Sequence, residues 1–141
     1  MKYNKKLKIY TSSASPENIS SAIEKNLIPI FIIENMSKIG YLSKYDCGPA
    51  HCQILAPSPR LLWEYRSGKI DFDTYIKKYV IDLAQLNFTK ILSRLSSMVK
   101  IFNASGVVLF GYDPDYNKCY RKPLAEILNM SGLLENEIRE I

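Results

Sequence analysis

The segment Gly111-Tyr112-Asp113-Pro114-Asp115-Tyr116-Asn117-Lys118-Cys119-Tyr120-Arg121 gathers two carboxylates, a thiol and two cations just ahead of an apolar, helix-like stretch. A cysteine at a helix start beside Lys118 and Arg121 is drawn toward its thiolate form, because the helix dipole and the cations favour the anion. Backbone N–H groups at such a start, together with Arg121, also suit a phosphate or a carboxylate. Cys119 is therefore a candidate nucleophile with Asp115 as its helper. Arg121, Lys118, Asp113, Tyr112 and Tyr120 are candidate ligand contacts. The same residues have a plainer reading, in which Cys119 is a small side chain where helix meets sheet and Arg121 pairs internally with Asp113 or Asp115.

A second constellation is Cys47-Gly48-Pro49-Ala50-His51-Cys52, which with Cys119 holds all three cysteines and the one histidine of the chain. Three thiolates and an imidazole would complete a tetrahedral zinc set. The spacing argues against it, because His51 adjoins Cys52 directly and two adjacent ligands reach one ion only with a strained backbone. We therefore expect no metal at Cys47, His51, Cys52 and Cys119, and no other cofactor. His51 remains a candidate general base if its loop folds over the site. Tyr41, Tyr45, Tyr112, Tyr116 and Tyr120 fall in the same two loops; interleaved with cations, such rings can stack bases, or simply bury a ring and leave the hydroxyl in water.

Elements must hold these groups in place, and the composition allows a core to do so. With 141 residues, 47% hydrophobic and 23% charged, the chain reads as one globular domain with a basic tail over about residues 1–6. The net charge of +5 is concentrated at Lys2, Lys5, Lys6 and Lys8, with further pairs at Lys77/Lys78 and Arg121/Lys122. It suits either a solvated surface or the approach of a phosphate-bearing partner. The most apolar run, Leu27 to Ile33, is interrupted by Pro29 and too short for a bilayer, so no membrane association is expected. An odd cysteine count and no apolar core behind the basic start favour free thiols or a metal site over a disulfide framework, and a cytoplasmic setting.

Leu7 to Thr11 alternates like a strand. Ser15 is a good N-cap, with Pro16 at the first helical position and Ile19, Ala22, Ile23 and Leu27 at helical spacing. Ile28 to Ile33 suits a strand covered on both faces, giving a βαβ unit. From Glu34 to Pro59 the periodicity fails; this long excursion holds one candidate strand, Gln53-Ile54-Leu55. Helices follow over Pro59 to Tyr65, from a cap at Asp71 or Asp73, and from Asn87. Val107 to Phe110 is the clearest buried strand. Pro123 opens another helix, and Leu133 to Ile141 reads as a short terminal helix with an acidic outer face. The expected fold is α/β: a single three-layer domain over residues 1–141, with a small, mostly parallel sheet flanked by helices. In such sheets ligands collect beyond the carboxyl ends of the strands, here Thr11 to Ser15, Glu34 to Ser37 and Gly111 to Arg121.

Leu109 to Arg121, followed by Leu124-Ala125-Glu126-Ile127-Leu128, resembles the carboxyl-terminal signature of the domain of unknown function 488 family. There a buried strand runs into an acidic residue, Asp-Pro, two variable positions and Cys-His-Arg at a helix start. Asp113, Asp115, Cys119 and Arg121 fall on the acidic, Asp, Cys and Arg positions. Leu55-Ala56-Pro57-Ser58, Leu61-Leu62, Tyr65, Gly68-Lys69-Ile70, Tyr75 and Tyr79 resemble the family's middle segment, and Lys8 to Thr11 its first strand. The likeness runs from Lys8 onward but leaves Glu34 to Gln53 unmatched. Tyr116 stands at the family's Pro position and Tyr120 at its His; if that His moves a proton in relatives, the step is lost or altered here. The resemblance implies an intracellular three-layer α/β fold and no settled activity.

Three functions are open on these residues. The first is binding or processing of a nucleotide, a nucleic acid or another phosphate-bearing ligand at the loop and helix start 111–122. The second is a thiol enzyme using Cys119. The third is a protein-interaction module without chemistry, with Trp63 or Phe72 as anchors.

Overall fold

A computed structural model describes residues 3–33 and 50–141. In chain order these form β1 (Ile9–Ser13), α1 (Pro16–Glu24), β2 (Leu27–Phe31), β3 (Ala50–His51), α2 (Pro59–Arg66), α3 (Phe72–Leu83), α4 (Phe88–Phe102), β4 (Gly106–Gly111), α5 (Arg121–Met130) and β5 (Arg139–Glu140). The five strands make one sheet in the order β3-β2-β4-β1-β5, and every pairing is parallel.

Local chemistry accounts for the helix starts. Ser15, Ser58, Asp71 and Asn87 each accept a hydrogen bond from the N–H three residues on, satisfying a donor that the helix cannot. At the far end of α4, Asn103 takes a left-handed conformation with φ of 50°, which lets the next N–H turn back onto Val99.

The sheet is covered on both faces. Ile19 and Ala22 of α1 pack on Leu27, Phe31, Ile33, Val108 and Phe110. The other four helices pack on Ile9, Ile30, Ile32, Val107 and Leu109. Successive strand residues alternate between these layers, as the pleat requires. All six residues of β4 are buried, the expected result for a central strand with neighbours on both sides and helices above and below.

Pro29 sits inside β2 without breaking the ladder. The Ile32 N–H donates to Phe110 in β4, and the Phe31 carbonyl accepts from Cys52, so odd-numbered residues of β2 face the β3 edge. There β3 pairs only with Ile30 and Phe31, and the donor that proline lacks is not required.

Two expectations change. Gln53–Leu55 is a 3-10 turn rather than a strand, and the short strand lies just before it at Ala50–His51. Leu133 to Ile141 is not a helix: Arg139 and Glu140 pair with Tyr10 and Thr11 as the edge strand β5, and only Ile138 of its final residues is buried deeply. In addition, β1 and β2 of the βαβ unit are not neighbours, because β4 lies between them. Among the described residues, no helix is long and apolar enough to cross a membrane.

Candidate functional site

The chains leaving β1 and β4 part company. These strands are adjacent, paired from Ile9↔Val107 to Ser13↔Gly111. Beyond Ser13 the chain passes to α1 on one face; beyond Gly111 it passes through the 112–120 loop to α5 on the other. Adjacent parallel strands whose connections go to opposite faces leave a crevice between their carboxyl ends, where α/β domains bind ligands. Here a bond from the Ala14 N–H to the Gly111 carbonyl, 2.9 Å, ties the two departing chains at its base.

Under this crevice lie the three buried polar or charged residues of the described chain, Thr11, Ser12 and Arg121. Arg121, the first residue of α5, is 0% exposed. Its Nε donates to both carboxylate oxygens of Glu140, at 3.0 and 3.2 Å, and its Nη2 reaches one of them at 2.7 Å. Nη1 donates to the Asp113 carbonyl, and Nη2 contacts the Pro114 carbonyl at 3.5 Å. The Thr11 hydroxyl donates to Glu140 Oε1 at 2.7 Å, the oxygen that Arg121 Nε reaches at 3.0 Å. Burial opposes the guanidinium charge, but the hydrogen-bonded Glu140 carboxylate and the nearby Cys119 sulfur hold its pKa above the ordinary value. The Tyr116 ring lies 5.5 Å from it, adding an aromatic face.

Arg121 thus pairs with Glu140, not with the carboxylates of Asp113 or Asp115. Those two are engaged locally: Asp113 accepts from the Asp115 N–H at 2.8 Å, and Asp115 from the Asn117 N–H at 3.0 Å. Such turns satisfy the loop backbone and fix its path. Asp115 and Lys118 are exposed, Asp113 is half-buried, and Tyr112 stands 50% exposed at the loop start.

Cys119 is 1% exposed, with its sulfur lodged against Gly111. A Cβ at position 111 would lie 2.7 Å from that sulfur and 3.2 Å from the Arg121 Cδ. The glycine is what lets thiol and guanidinium approach the end of β4. Tyr120 turns the opposite way, into the core, where its ring meets Tyr79 edge-on at 5.7 Å. Burial pushes the phenols of both upward. The Tyr79 hydroxyl donates to the Leu55 carbonyl at 2.6 Å.

His51 and Cys52 lie elsewhere, at the β2–β3 edge, and the His51 ring nitrogen Nε2 bonds to the Ile33 carbonyl. Cys52 and Cys119 are both free thiols. Cys47, Tyr41 and Tyr45 fall outside the described residues, as does most of the Glu34 to Pro59 excursion. Among the described residues, no group of three or more His, Cys, Asp or Glu side chains is placed to hold a metal ion. Of the two proposed anchors, Trp63 is 55% exposed with the Lys69 ammonium 4.3 Å above its ring, whereas Phe72 packs against Tyr65 and Tyr75.

Thr11 belongs to a strand end that parallel-sheet logic marks out, but the sequence reading misses Glu140 as the partner of Arg121. Nothing beside Glu140 in the sequence signals the pairing; the need for a carboxylate appears once α5 is docked and Arg121 is enclosed.

Comparison with curated proteins and with solved structures returns no match to the chain. Residues 44–132 match DUF488-N3a, described as the active DUF488-N3 subclade. That span takes in the loop, Cys119 and Arg121, and leaves out Thr11 and Glu140, which complete the arginine's surroundings. The match covers more than half of the chain, which therefore belongs to the DUF488 family.

Proposed function

We propose that this domain binds, and processes, a phosphate-bearing ligand, either a nucleotide or a segment of nucleic acid, in the crevice above the carboxyl ends of β1 and β4. The observation that carries the reading is the parting of the two chains there, with a loop of fixed shape on one side and the start of α1 on the other. Tyr112, exposed beside the crevice, offers a ring to a base. Lys118 and Lys122 offer charge to phosphate, and Lys122 already reaches the Asn117 side chain on the loop at 3.0 Å. Arg121 acts in this reading as a positioning residue: its donors go to Glu140 and two loop carbonyls, so it holds the loop rather than the ligand. The word "active" in the family description accords with processing as well as binding, and leaves the reaction unnamed.

The experiment is equilibrium binding of ATP and of a fluorescent single-stranded oligonucleotide at low salt. Binding should weaken as salt rises, and Tyr112→Ala should weaken it about tenfold, the loss of one stacked base. Absence of binding by either probe and by inorganic phosphate at low salt sinks the reading.

The nearness of the Cys119 sulfur and the Arg121 side chain, both lodged beside Gly111, favours a second reading, a thiol enzyme with Cys119 as nucleophile and Asp115 assisting. It requires the 112–118 loop to open, since the thiol is enclosed. Turnover that survives Cys119→Ser rules it out.

A further inference from the structure

Away from this crevice, a cavity of about 460 Å³ opens between α4 and the β2–β3 edge. Its floor is apolar, from Ile30, Ile91, Leu95 and Met98, and its wall carries Lys90 and Arg94. The size is that of a small-molecule site. Among the described residues the charge is one-sided: no carboxylate lines the cavity, and neither cation takes part in an ion pair. Helix α4 holds Lys90, Arg94 and Lys100 and no acidic residue at all. Lys90 and Arg94 are four positions apart on one helix face, so they repel one another over an apolar surface, an arrangement that an anion between them relieves. Cys52, half-buried, lines the same space within the field of Arg94.

We infer that this cavity is a second ligand site, built for a small amphipathic anion whose apolar body rests on Ile30, Ile91, Leu95 and Met98 and whose carboxylate, sulfonate or phosphate head is held by Lys90 and Arg94. The division is that of ligand pockets in general, an apolar lining with a few placed polar groups. Lys90 and Arg94 are both exposed, so they can turn to meet an anion seated over the apolar floor. The site is independent of the crevice, whose residues lie at the ends of β1 and β4.

The test uses the whole chain and two dyes of similar shape, 8-anilinonaphthalene-1-sulfonate and the uncharged N-phenyl-1-naphthylamine. The sulfonate should bind about tenfold or more tightly than the neutral dye, the loss expected when charge-assisted hydrogen bonds are removed. Its affinity should fall with added salt while that of the neutral dye does not. Lys90→Gln with Arg94→Gln should erase the difference, and bound sulfonate dye should slow alkylation of Cys52. Lys118→Ala should change none of this. Equal affinity for the two dyes, salt-independent binding of the sulfonate, or a double variant that keeps the preference overturns the inference. The salt and two-dye comparisons are made on the unaltered chain, so they stand even if the double variant fails to fold.

Discussion

Arg121 and Glu140 meet inside the protein as a fork on a fork, with two nitrogens of one facing two oxygens of the other. The two are unequal partners. The guanidinium is wholly enclosed, whereas the Glu140 side chain keeps 29% of its surface in contact with water. That asymmetry decides which half of the pair can be removed more cheaply.

Glu140→Ala leaves a buried cation without its carboxylate and should cost about 3 kcal/mol. Arg121→Met should cost no more, because the released carboxylate can turn to solvent and the methionine fills much of the vacated volume. Urea unfolding of both variants measures the difference. A Glu140→Ala variant as stable as the parent would mean that the pair is not formed in solution.

Gly111→Ala drives a methyl into the Cys119 sulfur and should destabilise by about 1–3 kcal/mol, the usual cost of overpacking. Removing the obstacle should return part of that loss, so Gly111→Ala with Cys119→Ala should be more stable than the two single losses added together predict. Strict additivity in thermal unfolding would show that the two groups do not touch.

Alkali should unfold the domain through Tyr79 and Tyr120. Burial raises both phenols, so the folded state retains protons that the unfolded chain gives up near the ordinary phenol value of 10.0. The stability linked to them is present in full below that pH and is lost above it. Tyr79→Phe should move the alkaline midpoint upward yet cost about 1–3 kcal/mol at neutral pH, since the buried Leu55 carbonyl loses its donor. Phenol ionisation at 295 nm should lag for these rings until circular dichroism reports unfolding. Ionisation of all ten tyrosines while the fold is intact would contradict this.

Alkylation by iodoacetamide near neutral pH, followed peptide by peptide in a mass spectrometer, separates the two readings of the crevice. Cys52 is half-buried, with its thiol pushed up by burial, and should react slowly. Cys119 is enclosed, and as part of a binding site it should react later still, at the rate of local opening. Labelling of Cys119 ahead of Cys52 would instead mark a thiol poised for chemistry.

How far the sequence discloses this molecule depends on how local each signal is. Val107 to Phe110 and the caps at Ser15 and Asn87 are written in neighbouring residues, and the structure has them there. The loop after Gly111 is placed by the same kind of signal, although Asp113 and Asp115 accept from their own loop and not from Arg121. β5 is different. Arg139 and Glu140 are polar and exposed, with no alternation to mark a strand, and they pair only because α5 delivers them to the open edge of β1. Glu140 is therefore unreadable as the partner of Arg121 from its own surroundings. The crevice is likewise a product of strand order, and no pair of adjacent residues encodes that β4 should slip between β1 and β2.

That strand order also sets a timetable for synthesis. β1 and β2 are made before β4, yet neither pairs with the other; each bonds to β4, which follows only after α2, α3 and α4 have been made. Until β4 is made, β1 has no strand partner among the described residues and β2 has only the two-residue β3, so the sheet closes late, through long-range pairings.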